Sequence, residues 1–142
     1  MAGKRKKAAV KTETVVILPG LYDETLYLLA EAHDYFYTYG EPEQQKMTPR
    51  VRTMYASEMS RITMRLSCIM AWLMARKAVF IGKLTENEAN KNYRLDCREV
   101  CLNQHIEAES VLPQGMTEIL DKSYELYQRV ARLDDLAVAE KK

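Results

Sequence analysis

Glu58, Arg61 and Arg65 form the strongest polar constellation in the chain, because spacings of three and seven residues set a carboxylate and two guanidinium groups on one helix flank. Three uses fit that arrangement. The groups can tie one helix to its neighbours through an intramolecular salt-bridge network, or pair with charges on a partner protein. They can also clamp a small carboxylate inside a bundle, as helical metabolic enzymes of the chorismate-mutase type do. A second constellation, Cys97, Cys101 and His105, repeats every four residues with Glu109 one step further along. One straight helix spreads three such side chains over about 12 Å, too far for all of them to reach one ion at bonds of roughly 2 Å. The reading is therefore core or boundary residues and no metal or cofactor. His33 stands alone on the first helix with no serine and acid to complete a triad. Lys4, Arg5, Lys6 and Lys7 would hold phosphate in low salt, and a nucleoid-associated DNA binder is the reading that follows from them. No aromatic–basic platform accompanies them to read bases, so a solubilising tail is preferred.

The elements that carry these residues are helices. The chain has 142 residues with 47% hydrophobic content, enough for one core and too little for two domains of ordinary size. Residues 1–14 read as a flexible basic tail and Thr14 to Leu18 as a short extended arm closed by Pro19 and Gly20. Residues 15–136 read as a single helical-bundle domain and 137–142 as a frayed end. The first helix is predicted from Leu21 to Tyr39, with Leu21, Leu28, Leu29, Ala32 and Phe36 inward and Gly40 as its stop. Thr48 and Pro49 supply an N-cap and a first helical residue for a second helix reaching about Ile81.

That second helix is predicted to be longer than its neighbours and to act as the spine, at roughly 48 Å. Tyr55, Met59, Ile62, Leu66, Ile69, Leu73 and Phe80 make one apolar seam along it. On the opposite side run Ala56, Ser60, Thr63, Ser67, Ala71 and Ala78, where a solvated face would ordinarily carry Lys and Glu. Gly82 closes the helix. Thr85 and Glu88 form a capping box for a third helix expected to reach Glu109. Leu112, Pro113 and Gly115 then break the chain before a fourth helix ending near Leu136, with Met116, Ile119, Leu120, Tyr127, Val130 and Leu133 inward. The expected fold is thus all-α, a small antiparallel bundle of three long helices plus a fourth, C-terminal one.

Composition narrows the function classes. Lys plus Arg number 21 against 20 Asp plus Glu, and the formal charge of +1 gives no overall field for nucleic acid or an anionic membrane. Leu66 to Ala75 is uncharged, but Arg65, Arg76 and Lys77 cut it well short of the roughly 20 residues of a membrane span. Three cysteines without paired spacing indicate a reducing compartment, hence the cytoplasm. Eight Met and nine Tyr against two Phe suit an adaptable protein-binding surface. The surface expected to meet a partner or a second copy comprises Ala56, Glu58, Ser60, Arg61, Arg65, Ser67, Ala71, Trp72 and Arg76, with core packing as the competing use of Trp72.

Several segments together resemble a known family. Tyr55-Ala56-Ser57-Glu58, Arg61-Ile62-Thr63-Met64-Arg65-Leu66, Trp72-Leu73, Arg76-Lys77-Ala78-Val79 and Gly82-Lys83-Leu84-Thr85 are similar to the central motif of the family named for the regulator of CtrA degradation, RcdA. Leu126 through Asp134 resembles its closing helix, and the likeness extends over about residues 21–136. The resemblance implies a small, usually dimeric helical bundle that is no enzyme. It implies an adaptor in bacterial cell-cycle proteolysis, joining a ClpXP protease primed by CpdR and delivering substrates such as CtrA, with concentration at the cell pole. The chain differs from the family in its basic head and in its short tail after Leu136.

Overall fold

The Thr48–Pro49 pair does what its chemistry dictates. A computed structural model of the chain describes residues 2–104 and 106–140, with side-chain placement for 18–104 and 107–140. In it the Thr48 hydroxyl accepts the Val51 N–H at 3.3 Å and helix α2 runs Pro49–Phe80. Ile81 caps it, and Gly82 at φ +80° takes the left-handed turn that a Cβ would disfavour. The predicted seam is inward at Tyr55, Ile62, Leu66, Ile69 and Leu73, while Phe80 stands exposed beyond the end of the core.

Among the described residues five further helices surround it: α1 (Ala2–Gln45), α3 (Glu86–Asn92), α4 (Arg98–Cys101), α5 (Ile106–Val111) and α6 (Gln114–Ala139). There is no strand among the described residues. Three long helices, α1, α2 and α6, make the bundle. Arg129 pairs with Glu24 and Lys122 with Glu31, so α6 runs antiparallel to α1. Trp72 reaches Asp134 and Arg65 reaches Ser123, so α6 runs parallel to α2. The core fills the space between them with Leu28 from α1, Ile62 and Ile69 from α2, and Ile119, Leu126 and Val130 from α6. Area burial of this kind supplies about 25 cal/mol per Å² and is the main force holding the bundle.

Three expectations are corrected. First, α1 begins at Ala2 and is longer than α2, and it carries Pro19 and Pro42 within it. Thr14–Leu18 is therefore helix rather than an extended arm, and Gly40 lies inside the helix rather than stopping it. A proline inside a helix costs about 3 kcal/mol, and Leu18, on the N-terminal side of Pro19, packs against the core. The spine role still falls to α2, which contacts each of the other five helices. The side chains of Lys4 to Lys7 lie outside the described residues. Second, the predicted third helix is three short ones. Its start is right, since Thr85 accepts the Glu88 N–H at 3.1 Å and the Glu88 carboxylate faces the Thr85 N–H at 3.5 Å. It fails after Asn92 because backbone donors are diverted: Asp134 takes the Leu95 N–H at 3.3 Å and Asp96 takes the Cys97 N–H at 2.7 Å. Third, α6 reaches Ala139, so residues 137–139 are helical.

Two glycines in this framework predict opposite outcomes. A Cβ at Gly40 would meet nothing nearer than the Tyr55 hydroxyl at 3.8 Å. Gly40→Ala should therefore raise stability in urea unfolding by about 0.5–1 kcal/mol through helix propensity alone. A Cβ at Gly115 would lie 2.4 Å from the Tyr35 ring. That ring packs edge-on against Phe36 and beside Tyr39, so Gly115→Ala should lower stability by about 1–3 kcal/mol.

Candidate functional site

Helix α2 has two sides of opposite character, and the residues singled out in the sequence divide between them. Glu58, Arg61, Arg65, Trp72 and Arg76 are buried, none more than 8% exposed. Their assignment to a partner surface is corrected: they turn inward, where the subunit's own groups engage them, although Nε of Arg61 and Nε of Arg76 are buried without a hydrogen-bond partner. One guanidinium nitrogen of Arg61 donates to both Glu58 oxygens, at 2.7 and 3.0 Å, forming a pair closed within one turn.

Arg65 is the largest fully buried side chain. Its Nε donates to the Cys101 carbonyl at 2.8 Å and Nη2 to the Asn103 carbonyl at 3.0 Å. Nη1 serves the Leu120 carbonyl and the Ser123 hydroxyl, each at 3.1 Å. The guanidinium also stacks over the Tyr124 ring at 5.1 Å. Burial and the neighbouring Arg61 lower its pKa from the usual arginine value, but a guanidinium remains charged across the physiological range. The terminal carbonyls of the short α4 have no helical partner, and Arg65 supplies one, fastening that end of the connector to α2 and α6.

Asp134 on α6 is the second buried hub, and the sequence reading did not single it out as one. It is fully buried and accepts Trp72 Nε1 at 2.9 Å, Arg94 Nε at 2.8 Å, Arg98 Nη2 at 2.6 Å and the Leu95 N–H. Arg76 lies 3.8 Å away and stacks over Trp72 at 5.3 Å. Burial alone would push the carboxyl up. The hydrogen bonds from Arg94, Trp72 and Arg98, with the charge of Arg94, outweigh it and hold the carboxyl below its usual value. Nothing in the spacing of Arg94 and Arg98 could have pointed to a partner some 40 residues on; the only sequence signal was the position of Asp134 at the end of a motif.

The other side of α2 is bare. Ala56, Ser60, Thr63, Ser67 and Ala71 are exposed, as are Met64 and Met74. From Thr53 to Met74 no exposed α2 position carries a charge. Beside this strip, Tyr22, Leu26 and Leu29 of α1 and Met70, Met74 and Ala78 of α2 line an apolar groove of about 390 Å³, ending at Lys77 and Ile81.

The remaining candidates do not assemble into a reactive site. Cys97 precedes α4 and Cys101 ends it, so they do not share one long helix face, and His105 lies outside the described residues. Among the described residues no three His, Cys, Asp or Glu groups come together in an arrangement able to hold a metal ion. His33 is on the exposed flank of α1 beside Asp34 and stacked on Tyr37. No helix among the described residues is long and apolar enough to cross a membrane.

A bundle whose arginines and aspartate are engaged inside, with an uncharged helix face outside, belongs to the class of small all-α helical bundles. Residues 10–142 match the family described as Protein of unknown function (DUF1465), and the chain belongs to that family. No curated protein and no solved structure matches the chain.

Proposed function

We propose that the protein is a non-enzymatic adaptor of regulated proteolysis that acts as a homodimer, with the outward face of α2 as its contact surface. The observation that carries this reading is the run of uncharged exposed residues Ala56, Ser60, Ser67 and Ala71, flanked by Met64 and Met74, on a helix whose opposite side is packed into the core. Small side chains let a second backbone approach closely, and methionines adapt to varied partners. The enzyme alternative loses its site residues: Glu58, Arg61 and Arg65 are already bonded to each other or to backbone carbonyls and do not open onto the apolar groove.

The resemblance of the Tyr55–Thr85 segments to the RcdA family supports the partners: ClpXP primed by CpdR, and substrates such as CtrA, in the cytoplasm and at the cell pole. The mechanism is tethering. Two modest contacts joined in one molecule raise the effective concentration of substrate at the protease, by factors on the order of 10²–10⁴ in avidity. The deciding experiment is reconstituted degradation of CtrA by ClpXP and CpdR with and without the protein. Acceleration supports the adaptor, and an unchanged rate at saturating protein removes it. Separately, Ala71→Glu should convert a dimer into a monomer in sedimentation analysis while leaving the helical content unaltered. A wild-type protein that sediments as a monomer at tens of micromolar eliminates the self-pairing face.

A further inference from the structure

Two helices packed side by side leave a furrow on each side of their seam, and α6 fills only the inner one between α1 and α2. The outer furrow is the apolar groove, lined by Tyr22, Leu26 and Leu29 from α1 and by Met70, Met74 and Ala78 from α2. It is open to water: Leu26 is 43% exposed and Met74 63%. Apolar side chains gathered on a surface in this way mark a contact site. One end of the groove carries a charge. Lys77 and Ile81 close it where α2 finishes, and the Lys83 N–H bonds the Ala78 carbonyl at 2.9 Å, which sets a second lysine at the same end. Both lysines are exposed, and neither ammonium has a hydrogen-bond or ion-pair partner among the described residues. No carboxylate lines the groove, and Glu24, close to Tyr22 on α1, is taken by Arg129.

We propose that this groove docks an amphipathic helix of a partner protein, lying antiparallel to α2 with an acidic first turn over Lys77 and Lys83. From Met70 to Ile81 the groove runs roughly 16 Å at 1.5 Å per residue, the length of about three helical turns. Leucine- or methionine-sized side chains at three- and four-residue steps on the occupant fill such a furrow. The orientation follows from two effects of the same sign. Carboxylates in a helix's first turn suit the positive end of its own dipole, and at this place they also meet the two lysines; the same orientation sets the occupant's positive end beside the negative end of α2. A second copy of the chain does not supply those carboxylates. Two α2 helices paired antiparallel about the strip from Ala56 to Ala71 would set Lys77 near Arg50 and Arg52 of the other copy, cation against cation. A small apolar ligand fits less well, because such ligands are held where most of their surface is enclosed, whereas a helix needs to bury only one face. The proposal rests on the adaptor reading only in making the occupant a delivered protein; the docking chemistry stands without it.

The test titrates the full chain into a fluorescein-labelled synthetic helix of about 14 residues and follows anisotropy. The peptide has Glu at its first two positions, Leu at alternating three- and four-residue steps and Gln elsewhere. Saturable binding is expected, weakened about tenfold or more by Leu26→Glu, a change at an exposed position that should leave the circular dichroism spectrum unaltered. Lys77→Glu combined with Lys83→Glu should weaken the same peptide and come to prefer a version with Lys at its first two positions. A lesion in the fold cannot reverse a charge preference in that way. Ala71→Glu, which tests the self-pairing face, should bind as the wild type does. No saturation by about 1 mM protein, equal affinity of the wild type for the Glu- and Lys-headed peptides, or undiminished binding by Leu26→Glu would each overturn the proposal. Binding by Ala71→Glu alone would overturn it too, since a second copy would then be what covers the groove. None of these measurements involves the protease, so a failed docking site and a failed adaptor reading are told apart by the degradation assay.

Discussion

Asp134→Ala is expected to destabilise the protein by about 3–5 kcal/mol in urea unfolding at neutral pH, the magnitude that follows when one member of a buried charge cluster is removed. The reason is what stays behind. Arg76 is buried, Trp72 Nε1 and the Leu95 N–H lose their acceptor, and Arg94 and Arg98 are left with only the more exposed Asp135 as a shared anion. Asp134→Asn should be nearly as damaging. The two carboxylate oxygens face donors on both sides, Trp72 at Oδ1 and Arg94, Arg98 and Leu95 at Oδ2, so either orientation of an amide places a donor against a donor. Replacing Asp135 instead should change stability by less than about 1 kcal/mol, because it is 58% exposed and its pairs with Arg94 and Arg98 are screened by water.

The same hub sets an acid limb to the stability curve. A carboxyl held below its usual value in the folded state contributes stability that is fully present above the unfolded value of about 3.9 and is lost as pH falls through the lower folded value. The gap between wild type and Asp134→Ala should therefore be constant from pH 7 to about 5 and narrow progressively below about 4. Paired urea titrations across that range measure it. A gap that stays constant down to pH 2 would show that the carboxylate charge is not what holds the cluster.

How far the sequence carried can be judged from particular residues. Helix α2 was legible from end to end because its signals are local: a Thr–Pro start, a three-and-four apolar rhythm, and a glycine stop. The inward face of α6 was legible for the same reason. The connector was not. Asn90 to Cys97 have no strong breaker, and what ends α3 is a carboxylate on a distant helix capturing the Leu95 N–H. The first helix was read too short because Pro19–Gly20 is a strong local stop signal, yet the helix runs through it. For the candidate site, spacing correctly placed Glu58, Arg61 and Arg65 together on one flank and could not say that the flank faces inward. Charge on a helix ordinarily marks water. Here Arg65 lies next to Leu66, and both are 1% exposed.

Arg65→Met, which keeps most of the volume and removes the donors, should cost about 2–4 kcal/mol, less than the Asp134 change, and by a different route. Removing the guanidinium relieves the burial of a charge, which offsets part of the loss. Ser123 keeps a partner, since its hydroxyl also donates to the Leu120 carbonyl at 2.9 Å. The Cys101 and Asn103 carbonyls at the end of α4 lose theirs. The damage should accordingly be local. Hydrogen exchange is expected to accelerate in residues 98–104 by one to two orders of magnitude, while the α2 and α6 amides around Ile62 and Val130 exchange only as fast as the global stability allows. Arg65→Lys should reproduce most of the effect, because a single ammonium cannot meet four acceptors spread around a planar fork. Uniform acceleration across the whole bundle would mean instead that Arg65 holds the three long helices together directly. In the expected case the connector can open while the α2 outer face stays intact, so Arg65→Met should lower stability yet leave the sedimentation of the protein unchanged.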